Sequence, residues 1–132
     1  MSTRTNLLLV FVGGACGGGL RILVGALVPD QPGIPWDIIA INLVGSAVLG
    51  LVVARGQART AWRLFPLIGP GLLGGFTTFS AMAALSWTST LAPAAAIAVL
   101  AGTMVACLLA AAGGWSLGWI EAERELVSED GA

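Results

Sequence analysis

The stretch Gly69-Pro70-Gly71-Leu72-Leu73-Gly74-Gly75-Phe76-Thr77-Thr78-Phe79-Ser80 lies inside an apolar segment over residues 64–87 and limits what this chain can become. The segment is long enough to cross a membrane, yet it is a poor helix. Pro66 and Pro70 each lack a backbone N–H, and Gly69, Gly71, Gly74 and Gly75 add backbone freedom. Thr77, Thr78 and Ser80 then place hydroxyls around the ring of Phe79. In hydrocarbon an unsatisfied backbone polar group costs several kcal/mol. A spanning segment can therefore break here only if protein, water or an ion satisfies the freed groups. Such breaks are common in ion and substrate sites. The plainer alternative is a kinked helix whose glycines only admit a close neighbour.

Composition places that segment in a membrane. Of 132 residues, 57% are hydrophobic and 10% charged, with a mean hydropathy of +0.92. Those values read as an integral membrane protein. His, Lys and Tyr are absent, so imidazole acid–base chemistry and His-ligated metals are excluded. Nothing resembles a nucleophile–base pair, so an enzyme is not expected. A nucleic-acid partner is not expected either.

Apolar segments fall at 7–28, 38–54, 64–87 and 91–120. About 20 helical residues cover a bilayer core of roughly 30 Å, so each reads as a transmembrane helix. The short links leave no room for a separate soluble domain, and residues 1–132 read as one four-helix unit. Arg4 precedes an apolar run ending in Gly13-Gly14-Ala15-Cys16, as in a signal segment. The run continues for a full crossing, so a retained helix is expected. Cys16 and Cys107 sit in apolar runs without CxxC spacing and read as small buried hydrophobes. The tail from Glu121 is acidic and is expected to fray.

Each span carries one polar or small-residue feature. In the first, Gly13/Gly17 and Gly14/Gly18 stand four apart and let another backbone approach. Arg21 either snorkels to the interface or sets a positive charge at the base of a watery entry, the second being favoured by its glycine surroundings. In the second span, Asn42 is either interhelical glue or an N–H donor to a permeating anion, and Asn42 alone does not decide. The fourth has small residues at Ala94, Ala98, Gly102, Ala106, Ala110, Gly114 and Gly118, a packing face. Thr103 is the only hydroxyl between Pro93 and Gly114 and can bond a carbonyl one turn back. Trp115 and Trp119 fit an interfacial belt.

Taken together, Gly13-Gly14 with Gly17 and Arg21, Asn42 with Gly45-Ser46, and Gly74-Gly75-Phe76-Thr77-Thr78-Phe79-Ser80 resemble, in order and spacing, the motifs of the Fluc (CrcB) fluoride channels. The resemblance runs over essentially the whole chain. It implies an all-α subunit of an antiparallel dimer, with the third helix broken mid-membrane, carrying fluoride pores through the cell (inner or plasma) membrane. It also implies a structural sodium ion at the dimer centre, held by the backbone carbonyls of Gly74 and Thr77. Fluoride is small and strongly hydrated, so a dry pore must replace its water with donors. Asn42, Thr78, Ser80, Thr103 and the edge of the Phe79 ring are the groups expected to do so, with the charge of Arg21 at the watery entry.

The chain departs from the family pattern at Met82, where a second phenylalanine is usual, and at Leu85, usually acidic. Val99 stands where a tyrosine precedes the Thr103 hydroxyl, and Asp37-Ile38 replace a Gly-Thr pair. These departures raise a second reading, a non-conducting or half-conducting partner of a related chain. A small multidrug transporter ranks low, since proton exchange needs an embedded carboxylate and Asp37 and Glu121 stand at span ends. Charge adds an orientation. Arg4, Arg55, Arg59, Arg63 and Arg124 share the side of the termini, and the opposite links carry no Lys or Arg. The positive-inside rule puts both termini in the cytoplasm. A homodimer of opposed copies needs a balanced count, so this bias favours a related chain of opposite orientation over a second copy of itself.

Overall fold

The computed structural model describes residues 2–28, 34–58, 62–88 and 90–130, with side chains excepted at 57–58, 85–88 and 125–130. Residues 29–33 of the first link, Arg59 and Ser89 lie outside the described residues, as do the side chains of Leu85 and Trp87. The described residues form helices and no strand. Four helical segments are long and apolar enough to cross a membrane: Thr3–Leu27, Trp36–Gly56, Leu67–Ala84 and Pro93–Arg124. The chain is built as a multi-pass membrane protein.

Helix α1 spans Thr3–Leu27 and starts where the Ser2 hydroxyl accepts a hydrogen bond from Thr5 N–H. Helix α2 spans Trp36–Ala58 and outruns the apolar stretch 38–54 at both ends. Past that stretch, Arg55 pairs with Glu121, which ties the end of α2 to the fourth span. The third span has three helical pieces: a π-helical stretch over Leu67–Leu73, a short α3 over Gly74–Phe76, and α4 over Phe79–Thr88. Helix α5 opens on Pro93, which needs no N–H at the first helical position, and runs to Asp130. The acidic tail expected to fray is thus helical through Asp130. Its 38 residues amount to about 57 Å of helix, well beyond a roughly 30 Å bilayer core.

Two seams hold the spans together: α1 lies on the π-helical stretch and α3, and α2 lies along α5. Both depend on glycine. A side chain at Gly13 or Gly17 would overlap the carbonyls of Leu67 and Leu72, and one at Gly75 would overlap the Gly14 carbonyl. In the second seam Gly50 meets the Ala111 carbonyl and Gly114 meets that of Ala47. The small-residue face of α5 is therefore used within the chain around Gly114 and Gly118, whereas Gly102 faces open space and Ala94 and Ala98 are exposed. Cys16 is exposed and Cys107 half-buried, which corrects the expectation that both are buried. With apolar surroundings available on the outside, an outward cysteine costs a membrane chain little.

The prolines do not end the third span. In an α-helix the ring of Pro70 would press on the carbonyl four residues back. The wider π-helical turn takes Pro70 in, and the Gly74 N–H closes it by bonding the carbonyls of Gly69 and Gly71. Helicity stops later, after the double glycine. Thr77 is extended, with φ −79° and ψ 149°, and α4 restarts at Phe79.

Candidate functional site

The interruption at Thr77 and Thr78 exposes peptide groups that a continuous helix would satisfy. Thr77 N–H still reaches the Leu73 carbonyl at 3.0 Å, and its hydroxyl donates to the same oxygen at 3.0 Å. Thr78 turns instead to α2. Its N–H donates to Asn42 Oδ1 at 2.7 Å, while Asn42 Nδ2 donates to the Thr78 carbonyl at 3.1 Å. One side-chain amide thus satisfies both polar groups of one peptide residue. Thr78 also caps α4: its hydroxyl accepts from Ala81 N–H at 3.2 Å. Asn42 is 7% exposed, so its amide hydrogens need protein partners. Its remaining N–H faces the Met82 sulfur at 4.0 Å, a weak acceptor.

These diversions take the helical donors of the Gly74 and Thr77 carbonyls, and the interruption leaves the Gly75 and Phe76 carbonyls without theirs as well. The N–H four residues after Gly74 is that of Thr78, which Asn42 takes. The N–H four after Thr77 is that of Ala81, which the Thr78 hydroxyl takes. Sequence reasoning singled out these two carbonyls by resemblance; the geometry supplies a local cause for their being free.

Asn42, Thr77, Thr78, Phe79, Met82 and Thr103 line one open cavity of about 310 Å³ between α2, the interruption and α5. Arg21 and Ser80 do not line it. Ser80 is exposed, its hydroxyl 3.3 Å from that of Thr78. Arg21 is half-buried on α1, and its Nε is buried without a hydrogen-bond partner among the described residues. Thr103 is 6% exposed and donates to the Val99 carbonyl at 2.8 Å, so its hydroxyl presents lone pairs to the cavity. Phe79 is 61% exposed.

Sequence reasoning missed the other side of the cavity. Cys107 and Ala111 follow Thr103 at intervals of four on the same helix face, with Met104 and Leu108 beside them. That spacing was the available signal. Sulfur from Met104 and Cys107 makes this wall soft and apolar, across from the interruption, and Met82 of α4 adds a third sulfur to the cavity.

A profile of the family described as CrcB-like protein, Camphor Resistance (CrcB), matches residues 8–115. A protein of Sphingopyxis alaskensis named Fluoride-specific ion channel FluC is 39% identical over 114 residues, covering 77% of this chain and 89% of that protein. Proteins of the same name from Xylella fastidiosa (strain M23) and Mesorhizobium japonicum are 42% identical over 83 residues and 49% over 81. Each of those matches covers 58% of this chain, and they span 61% and 64% of the two relatives. The profile takes in most of α1, all of α2 and the third span, and most of α5, with every residue of the cavity wall. On that match the chain belongs to the CrcB-like protein family.

Proposed function

We propose that this chain is a subunit of a fluoride-specific ion channel that lets fluoride leave the cytoplasm passively, with a structural sodium ion at the centre of an antiparallel dimer. The observation that carries this reading is the interruption itself. It joins anion donors at the cavity to carbonyls whose helical N–H donors are engaged elsewhere.

On the cavity side, the second Asn42 N–H is held only by a thioether, so an anion with strong acceptor character can displace it. The hydrogens at the Phe79 ring edge carry partial positive charge. The Thr78 hydroxyl, paired with that of Ser80 just off the cavity, can turn a hydrogen inward. The Thr103 hydroxyl joins them once it rotates off Val99. None of these groups is a full charge, and the chain has no Lys to trap the ion. Conduction needs such weak, repeated sites.

Away from the cavity, Gly74 and Ser80 are exposed, and a Cβ at Gly74 would meet nothing. A polar interruption facing lipid is costly, so a second chain covering it is the economical arrangement. Carbonyl oxygens suit a hard cation, and the Gly74 and Thr77 carbonyls from two subunits would hold sodium there. The ion would supply the positive charge that the missing N–H donors do not. The homologues bear the name of an ion channel, and a non-enzymatic role follows from it.

Reconstitution tests the reading. The purified chain in liposomes, alone or with a related chain, should release fluoride to an electrode while retaining chloride. Equal passage of the two anions sinks the selectivity claim. Orientation is tested separately, because the arginine bias favours a partner of opposite topology over a second copy. Reporter fusions at the C-terminus should give a cytoplasmic signal only. Equal signals on both sides restore the homodimer.

A further inference from the structure

A broken helix in a membrane has a simple escape, which is to close up again. Here it requires Thr77 and Thr78, the two non-helical residues between α3 and α4, to turn helical. Gly74 is already helical, at φ −64° and ψ −34°, and α4 restarts at Phe79. The backbone of Thr77 is turned extended, by its ψ of 149°. Returning that residue to the helical region would bring Thr78 N–H back toward the Gly74 carbonyl and satisfy both groups. Something must hold the Thr78 peptide away. The candidate is a single side chain on another helix, buried, with both ends of its amide on that residue at 2.7 and 3.1 Å.

We propose that Asn42 is a positioning residue that keeps the third span open, by occupying both the N–H and the carbonyl of Thr78 so that the Gly74 carbonyl cannot recover its helical donor. Asparagine suits this task because a carboxamide offers one acceptor and two donors in a plane, the complement of a peptide edge. Aspartate lacks the donor. Alanine lacks both. Asn42 is buried and both bonds are part-buried, so removing the amide leaves the reclosed helix as the nearest fixed partner for the Thr78 groups. The same clamp fixes where the remaining Asn42 N–H points, toward Met82 and the cavity. Glue and anion donor were posed as alternatives from the sequence. In the folded chain the first role sets up the second.

The consequence for an ion rests on the proposed function: with the span reclosed, the Gly74 carbonyl is no longer available to sodium. Two readouts separate the claims. Backbone NMR of the full chain in micelles reports the conformation of Thr77 and the exchange of the Thr78 amide. Sodium titration of dimer stability reports the ion. In Asn42→Ala, Thr77 should move from extended to helical shifts, and the half-saturating sodium concentration should rise by about tenfold or more, the scale of two lost buried hydrogen bonds. Thr78→Ala removes only the cap hydroxyl, so Thr77 should stay extended there. Should Asn42→Ala fail to fold, the near-isosteric Asn42→Leu, which also lacks the carboxamide, is read the same way. In the native chain the Asn42 carboxamide hydrogens should also lie within NOE range of the Thr78 amide. Thr77 remaining extended in the Asn42 variants, or a missing NOE, overturns the clamp. A native chain indifferent to sodium whose Asn42→Ala variant still straightens defeats the sodium reading and leaves the clamp standing.

Discussion

Gly17→Val and Gly114→Val should each destabilise the chain by about 3 kcal/mol or more, and leave little assembled protein to purify. The reason lies in what the new atoms meet. At Gly17 a Cβ would overlap the Leu72 carbonyl and lie 2.8 Å from Phe76 N; at Gly114 it would overlap the Ala47 carbonyl and lie 3.1 Å from Leu51 N. These neighbours are backbone in a packed helix, so no flexible side chain can swing aside. The helices must part along the whole seam, and association in lipid relies on close packing without a hydrophobic drive to compensate. Gly18→Val and Gly113→Val are the matched controls, since their Cβ atoms would meet nothing within the chain. Size-exclusion profiles and detergent-denaturation midpoints would show the contrast. Equal behaviour of Gly17→Val and Gly18→Val would mean that the α1 seam is packed differently.

Gly74→Val should have the opposite profile, a sound subunit with a lost centre. Backbone restriction is the reason the sequence alone suggests, but Gly74 sits at φ −64°, where any residue is at ease. Its Cβ would enter open space on the exposed face. A valine there therefore leaves the single chain's seams intact. Its branched methyls stand where a second subunit and an ion would have to approach the Gly74 carbonyl. Dimerisation and sodium-dependent stabilisation should fall at least tenfold, or about 1.4 kcal/mol. Thr77→Val is the milder partner. It keeps the carbonyl and shape and gives up one hydroxyl bond to Leu73, which retains the Thr77 N–H, at a cost of about 1 kcal/mol. Crosslinking yield and sodium titration of thermal stability would rank the two. A Gly74→Val dimer that binds sodium normally would place the ion elsewhere.

Legibility in the sequence followed the kind of signal each feature leaves. Four spans were legible because apolar length is a sum over many residues, and their ends shifted only where particular contacts extended them. Trp36 and Asp37 start α2 ahead of the apolar run, and the Arg55–Glu121 pair carries helix beyond Ala54. The π-helical stretch was not legible. Two prolines and several glycines signal trouble for an α-helix, but they do not say whether the chain breaks, kinks or widens, and here it widens around Pro70. Among the site residues, Asn42, Thr78, Phe79 and Thr103 share the cavity, whereas Arg21 and Ser80 stand off it. The Asn42–Thr78 pairing was hidden for a physical reason. Its partner is backbone, and every residue has one.

The wide turn over Leu67–Leu73 also acts as an angular setting. One residue of α-helix is about 100° of rotation, so a span with a surplus residue in one turn presents everything beyond it at a different bearing. Thr78 meets Asn42, and Phe79 faces outward, only at the bearing that this turn dials in. The surplus is thus shared between two distant jobs. It houses a proline at one level of the membrane and chooses which residue looks into the cavity at another.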